Sequence, residues 1–458
     1  MSAVVGILSS AFWGVLVLSL LVFVHEGGHF LAARACGMRV TEFFLGMPSR
    51  WRLSWRSPRI GCEFGVTPLL LGGYTRICGM EPLEDELLAP CLSLVQRRGR
   101  VSAREVAEEL AIEEDRAYAL LGSLADLAAI APLYDPELGE RPGQADWPQR
   151  FQTQRRDAML LTQFDCGHDF EAVGTTGEGE ARPVDDAEAF LASELSRTYH
   201  GKGLLARLAT LVAGPLVNLL LAFLVITVAL SLVGVEGVVD SNQIAGVTAG
   251  SAAEAVGLRG GDAIVDVAGT PVSDWRSLSA ALDAALGAKE DFSLSYLRDG
   301  RTSTVRVEVG EGLGSLGVLA QTQRVRLGVG QSALAALSYG RAVARFALDL
   351  ITPARTMQTL QGTSSVVGIS AMASQAASSG AYDLALFVAM ISMSLGFMNL
   401  LPIPPLDGGK VLVELVQAAL RRELSSRAQT VVGYLGIAVF LVIFVFALKN
   451  DITRLVIG

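Results

Sequence analysis

Residues 25–29 read His-Glu-Gly-Gly-His and lie within LVLSLLVFVHEGGHFLAARA, residues 16–35, an otherwise almost wholly apolar stretch. On a helix, positions i and i+4 share a face. His25 and His29 can therefore grip one zinc ion while Glu26 activates its water. The five-residue pattern alone arises by chance, so its setting carries the weight. An ionisable side chain at the centre of a bilayer costs ~2.5 kcal/mol or more. Three of them in one short apolar helix need a purpose beyond gluing helices together.

A catalytic zinc keeps three protein ligands and one open position, so another donor is needed elsewhere in the chain. The stretch SLGFMNLLPIPPLDGGKVL, residues 394–412, supplies it. Pro402, Pro404 and Pro405 before Asp407, with Gly408 and Gly409 after it, prevent an ordinary helix here. The broken backbone frees Asp407 to turn inward as the third ligand.

The elements that must hold these groups are four apolar stretches, at about 8–33, 204–233, 382–401 and 428–448. Each approaches the ~20 residues needed to cross a bilayer as a helix. A 458-residue chain that is 51% hydrophobic is too apolar for an ordinary soluble protein. The first stretch lacks a basic start and a small-residue cleavage site, so it is expected to be a retained span. Arg34, Arg39, Arg50, Arg52, Arg56 and Arg59 follow it, Lys202 and Arg207 flank the second, and Lys410, Arg421, Arg422 and Arg427 separate the third from the fourth. These flanks are expected on the cytoplasmic side, leaving the amino terminus, residues 234–381 and the carboxyl tail outside.

The net charge of -9 is uneven, because residues 81–200 hold 25 Asp and Glu against 11 Lys and Arg. One acidic module is thus set into a mildly basic membrane protein. The five cysteines, Cys36, Cys62, Cys78, Cys91 and Cys166, all fall on the membrane or cytoplasmic side and are expected as reduced thiols.

The chain divides as follows. Residues 1–83 carry the first span and the stretch CEFGVTPLLLGGYTRICGM, residues 62–80, which alternates around Gly72 and Gly73 and is expected as a hairpin or re-entrant loop at the membrane. Residues 84–200 form the acidic insertion. At about 90–135 a capping box, Ser102 with Glu105, opens two helical patterns with a strand near Ile130, an order resembling a winged helix. Its second helix opens on EEDRA, which repels phosphate, so nucleic acid is not expected as a partner; a cytoplasmic protein contact or a structural role is. About 136–185 reads as loosely ordered linker, in which Cys166 and His168 lack a partner pair for a second metal. Residues 201–234 are the second span. In 235–310, short β-patterned runs surround one helix at about Trp275–Leu286 and resemble a PDZ domain of the bacterial protease type. Residues 311–381 form an extracytoplasmic segment, Ala- and Ser-rich from about 330, with an amphipathic helix near Ser332–Leu350 expected along the outer membrane surface. Residues 382–458 hold the last two spans.

The fold class expected is a polytopic α-helical membrane protein of about four transmembrane helices. It carries a membrane-associated β-loop, an extracytoplasmic α+β PDZ domain and a cytoplasmic winged-helix-like insertion. HEGGH in the first span, AGPLVN at 213–218 in the second, the PDZ-like region and NLLPIPPLDGG at 399–409 together resemble the site-2 protease family of zinc intramembrane proteases, in its bacterial regulator-of-sigma-E-protease type. The resemblance covers about residues 1–80 and 200–450 and leaves the insertion outside.

It implies zinc held by His25, His29 and Asp407, with Glu26 as general base and acid, and Asn399 helping to hold the substrate backbone. It also implies that Gly72, Gly73 and Tyr74 pair with an unwound substrate. Asn218 stands between helix packing and lining the site. Gly27 occupies a position where relatives often have a bulky residue, which puts helix packing beside the metal in question.

The implied function is cleavage of single-span membrane proteins, such as anti-sigma factors or remnant signal peptides, in the bacterial inner membrane. The PDZ domain would capture the ends of substrates already trimmed outside. The chemistry agrees with the residues, since zinc lowers the pKa of bound water towards ~7 and Glu26 can take the proton. The alternative is a catalytically inactive PDZ-containing membrane scaffold, favoured if purified protein lacks zinc. A transporter would call for inverted repeats or more charges in the spans.

Overall fold

The computed structural model describes residues 2–457 apart from Leu71, Pro82, Glu84, Ala145, 311–313, Glu423 and Ser425. Contacts divide the chain into two units, residues 1–226 with 335–458, and residues 227–334.

The first unit begins with α1 (Ser2–Ala35), whose leucines and valines face outward along most of its length. Four strands follow: β1 (Val40–Leu45), β2 (Leu53–Arg56), β3 (Glu63–Val66) and β4 (Gly73–Ile77). They form one sheet in the order β2-β3-β1-β4, with β1 parallel to β3 and antiparallel to β4. This corrects the expected hairpin within 62–80. β3 and β4 do not pair with each other, because β1 lies between them. Arg52 lies between Glu42 and Glu63 at 3.3 and 3.2 Å, ion-pairing the polar face of the sheet.

The insertion comprises α2 (Leu88–Arg98), β5 (Arg100–Ser102), α3 (Ala103–Leu110), α4 (Glu114–Asp126), β6 (Ile130–Pro132), β7 (Arg150–Thr153) and α5 (Ala187–Leu195). The expected capping box is present, with Ser102 and Glu105 each satisfying the other's backbone N–H. The three short strands pair in the order β5-β7-β6 beneath a core of Leu92, Val106, Leu121, Leu124 and Phe151.

The expectation of loose linker at 136–185 is overturned. This segment supplies β7 and then buries Arg156, Asp157, Thr162 and Asp165, with Arg156 bridging to Thr162 and Thr176. What orders it is ionic rather than apolar. Arg39, just past α1, donates two hydrogen bonds of 2.7 Å to Asp165 and one of 2.8 Å to Glu194. Arg156 donates to the same Glu194 at 2.9 and 3.0 Å. Arg39, Arg156 and Glu194 are at most 1% exposed, so a buried charge knot rivets the insertion to the end of α1.

Next comes α6 (Leu204–Leu232). In the second unit follow β8 (Val235–Val238), β9 (Ile244–Val247), a short α7 (Ala252–Ala255) absent from the sequence expectation, β10 (Ala263–Val267), β11 (Thr270–Pro271), α8 (Trp275–Gly287), β12 (Phe292–Arg298), β13 (Arg301–Val307), β14 (Val318–Ala320) and β15 (Thr322–Val325). The main sheet runs β11-β10-β12-β13, with β9 paired to β14 and β8 to β15. Leu278 and Leu282 of α8 pack with Ile244, Ile264 and Leu294 in its core.

The chain ends with α9 (Val329–Leu350), α10 (Pro353–Gln361), α11 (Val366–Ser379), α12 (Ala381–Asn399), α13 (Asp407–Leu420) and α14 (Ser426–Ile457). The helix expected near Ser332–Leu350 is present as α9, with α10 and α11 following it before the third span. Small residues let α11 lie directly on α1, where Ser9 and Ser374 hydroxyls meet at 2.7 Å and Ala373 packs with Val17, Leu21 and Phe387. Asp451 of α14 accepts from the backbone N–H groups of Ser365 and Gly368 at the start of α11. Among the described residues four helices are long and apolar enough to cross a membrane: Val4–Ala35, Leu204–Leu232, Ala381–Asn399 and Thr430–Thr453. These coincide with the four apolar stretches of the sequence.

Burial alone would raise the Glu194 carboxyl, yet the charges of Arg39 and Arg156 hold it down to about 2. A group depressed in the folded state stabilises above its ordinary value near 4.5, and that stability is lost as pH falls towards the folded value. Replacing Glu194 with Gln strips buried Arg156 of its ion-pair partner, while Arg39 keeps Asp165, and is expected to cost about 3–5 kcal/mol at neutral pH. It should also flatten the loss of stability between pH 4.5 and 2, both read by thermal unfolding in detergent.

Candidate metal centre

Two close helix crossings build the site. Gly28 of α1 lies where a Cβ would come within 2.5 Å of the Ala213 carbonyl of α6, and a Cβ on Gly214 would meet Nε2 of His29 at 2.4 Å. Only glycine permits this approach, which sets His29 against the α6 backbone. Its Nδ1 donates to the Thr210 carbonyl at 2.7 Å, so Nε2 keeps its lone pair for the centre.

Asp407 arrives from a different direction. After α12 the chain breaks at 400–406, and Asp407 is the first residue of α13, where a helix N-terminus favours a carboxylate. Gly408 and Gly409 let this turn close: added Cβ atoms would meet the Leu400 carbonyl at 2.3 Å and the Pro404 nitrogen at 2.4 Å. Two turns along the same face, Glu414 is buried and held by Tyr199 at 3.1 Å and Arg207 at 3.1 Å. That clamp sets the rotation of α13, and with it the heading of Asp407.

The result is convergence. Nε2 of His25 lies 3.0 Å from Oδ2 of Asp407, Nε2 of His29 lies 3.2 Å from the same oxygen, and the two Nε2 atoms are 3.2 Å apart. A tetrahedral zinc with bonds of ~2.0–2.1 Å separates its ligands by about 3.3 Å. The three donors thus have the identity and spacing that such an ion needs, and both histidines are buried. Among the described residues no other group of three His, Cys, Asp or Glu side chains converges in this way. Cys166 is exposed and His168 bonds the Asp165 carbonyl instead. All five cysteines are free thiols, and burial pushes those of Cys78 and Cys91 up to about 12.

The remaining candidates lie around this triad. Glu26, next to His25, is half-buried, and its carbonyl accepts a 3.0 Å hydrogen bond from the Thr75 hydroxyl of β4. Gly73 faces the same part of α1, since a Cβ there would touch Glu26 and Val22 at 3.6 and 3.5 Å. Gly72 precedes the strand, its carbonyl accepting from Gly46, and Tyr74 stacks on Phe44 with its hydroxyl bonded to Glu42 at 2.8 Å. β4 is an edge strand, with β1 on one side only.

Asn218 is fully buried, with its side-chain amide 3.4 Å from Nδ1 of His25 and its carbonyl accepting from Ser392 at 2.9 Å. It touches a ring of the triad, so it braces the site from behind. Asn399 closes α12 and is half-buried. Gly27 has open space where a Cβ would stand. Thr210, Gly214 and the Tyr199–Arg207–Glu414 clamp escaped the sequence reading. Only the glycine within AGPLVN hinted at the close crossing.

A family profile described as peptidase family M50 matches residues 13–443. The chain belongs to peptidase family M50. This family member is accordingly a zinc metalloprotease of the site-2 protease family, as its motifs implied. It is 27% identical to the zinc metalloprotease RasP of Geobacillus kaustophilus and 25% identical to the regulator of sigma-W protease RasP of Bacillus subtilis. A putative zinc metalloprotease of Lactococcus lactis is 25% identical. Each match covers 96% of this chain and 97% of the relative. Such spans cross residues 84–200, so likeness to the M50 proteases does not stop at the insertion as the sequence reading had it.

Gly214→Ala is expected to displace the His29 ring and remove most bound zinc from the purified protein, whereas Gly27→Ala should retain it. Metal analysis of both variants checks the contrast.

Proposed function

We propose that this membrane protease cleaves the transmembrane segments of single-span membrane proteins, with His25, His29 and Asp407 as the zinc ligands and Glu26 as general base and acid. The observation that carries the reading is the meeting of three donor atoms within 3.2 Å of one another, two from a helix apolar enough to span a bilayer and one from the start of α13. Zinc bound there supplies a Lewis acid that acidifies a water and polarises a carbonyl. Glu26 accepts the proton from that water and delivers it to the leaving amine nitrogen as the peptide bond breaks.

A substrate helix in lipid has its carbonyls bonded within the helix, so it must unwind before attack. The free edge of β4, beside Glu26, offers hydrogen-bonding partners to the unwound strand, with Gly72, Gly73 and Tyr74 at its start. Asn399, at the end of α12, holds the same backbone. Arginines after α1 support a cytoplasmic location for the β-sheet and insertion, in a bacterial inner membrane, with the amino terminus and residues 235–310 outside.

The sheet of the second unit, with α8 against it, supports a PDZ reading, and the helix and strand order of the insertion supports a winged-helix-like module that meets protein rather than nucleic acid. The PDZ domain admits trimmed substrate ends and delays untrimmed ones. The Bacillus subtilis relative is named for regulation of sigma-W, which makes an anti-sigma factor a fitting substrate class.

Glu26→Gln should slow cleavage of a reconstituted single-span substrate at least about a hundredfold while zinc content stays unchanged. Loss of zinc together with activity, or unchanged activity, would refute the role. Deleting 235–310 should raise cleavage of untrimmed substrates relative to trimmed ones; an unaltered ratio refutes the filter.

A further inference from the structure

We infer that the cleft between the β-sheet and the acidic insertion is a docking channel for the cytosolic, basic juxtamembrane segment of the substrate, a reading that rests on the proposed proteolysis and extends it. The cleft has a volume of about 760 Å³, and its sheet-side wall includes residues 74–76 of the edge strand β4. A substrate strand added to that edge beside Glu26 has its onward path between the two walls. The opposite wall belongs to the insertion, with Tyr134 and Trp147 as its aromatic faces. Arg76 joins the walls by lying 4.8 Å over the Trp147 ring and 3.5 Å from Asp126. The charge knot at Arg39 and Glu194 holds the two walls in register, so the channel is a fixed part of the protein.

Two features select the occupant. Gln154 lines the cleft and is 5% exposed, yet its Oε1 accepts no hydrogen bond. A buried orphan acceptor is costly, and an N–H donor entering the channel would satisfy it. The two charged residues that the insertion itself contributes to the wall, Asp146 and Glu178, are both acidic. On the sheet side, Arg52 is tied to Glu42 and Glu63 and Arg76 to Asp126, so with Arg56 the whole lining sets the carboxylates of Glu42, Glu63, Asp146 and Glu178 against three arginines. An extended backbone carrying lysine and arginine meets these demands, and membrane segments carry such residues on their cytosolic flank.

The test uses the full-length protein in nanodiscs and two single-span substrates, one with a Lys- and Arg-rich cytosolic flank and one with serines in their place. A photo-reactive residue at Gln144, on the cleft wall, should cross-link to the basic flank, in Glu26→Gln protein as well as in the parent. The serine flank, or the charge reversals Asp146→Lys and Glu178→Lys, should raise KM roughly fivefold with kcat unchanged. The reversals should instead favour a substrate with an acidic flank, a gain that misfolding cannot produce. Cleavage that proceeds with no cross-link and no dependence on flank charge overturns the channel. Cross-linking of the basic flank without cleavage supports the channel while refuting the peptidase reading.

Discussion

Everything in this chain depends on three polar side chains meeting, two from an apolar span and one from the start of α13. Two imidazoles and a carboxylate in such surroundings are expensive to bury, and their cost is offset only if a cation draws all three together. That requirement explains the glycine crossing of α1 and α6, the broken backbone before Asp407 and the clamp on Glu414. Glycine crossings are common where membrane helices pack, whereas the broken backbone and the buried clamp are unnecessary in an ordinary bundle. Each becomes intelligible once three donor atoms have to converge.

The same economy of placement runs through the β-sheet and the insertion. β4 lies against α1 beside Glu26, so the strand proposed to receive an unwound chain is next to the residue proposed to move protons. Behind it, the insertion is held by ion pairs buried as deeply as its leucines. A module fixed so firmly to the end of the first helix acts as a wall of the enzyme rather than as a tethered accessory.

Much of this was legible in the residues. The histidine spacing, the Pro- and Gly-flanked Asp407 and the four apolar stretches are local patterns, and local patterns survive without knowledge of the fold. The strands β1 and β2 were missed because the arginines around them, Arg39, Arg50, Arg52 and Arg56, read as span flanks, although Arg52 joins Glu42 to Glu63 across the sheet. The 136–185 segment looked like linker because its order comes from Arg156, Asp165 and Glu194, which carry no apolar periodicity. Thr210 acts through its carbonyl, which has no side-chain signature, and Glu414 meets Tyr199 only across 215 positions of sequence.

The central claim is the coordination of a single zinc by two nitrogens and one carboxylate oxygen of this chain. X-ray absorption at the zinc edge of the purified protein measures it directly. The account predicts light-atom ligands at ~2.0–2.1 Å that include two imidazoles, together with an oxygen contribution that changes when Asp407 is replaced by Ala. Sulfur at ~2.3 Å, or a spectrum indifferent to Asp407, would contradict it.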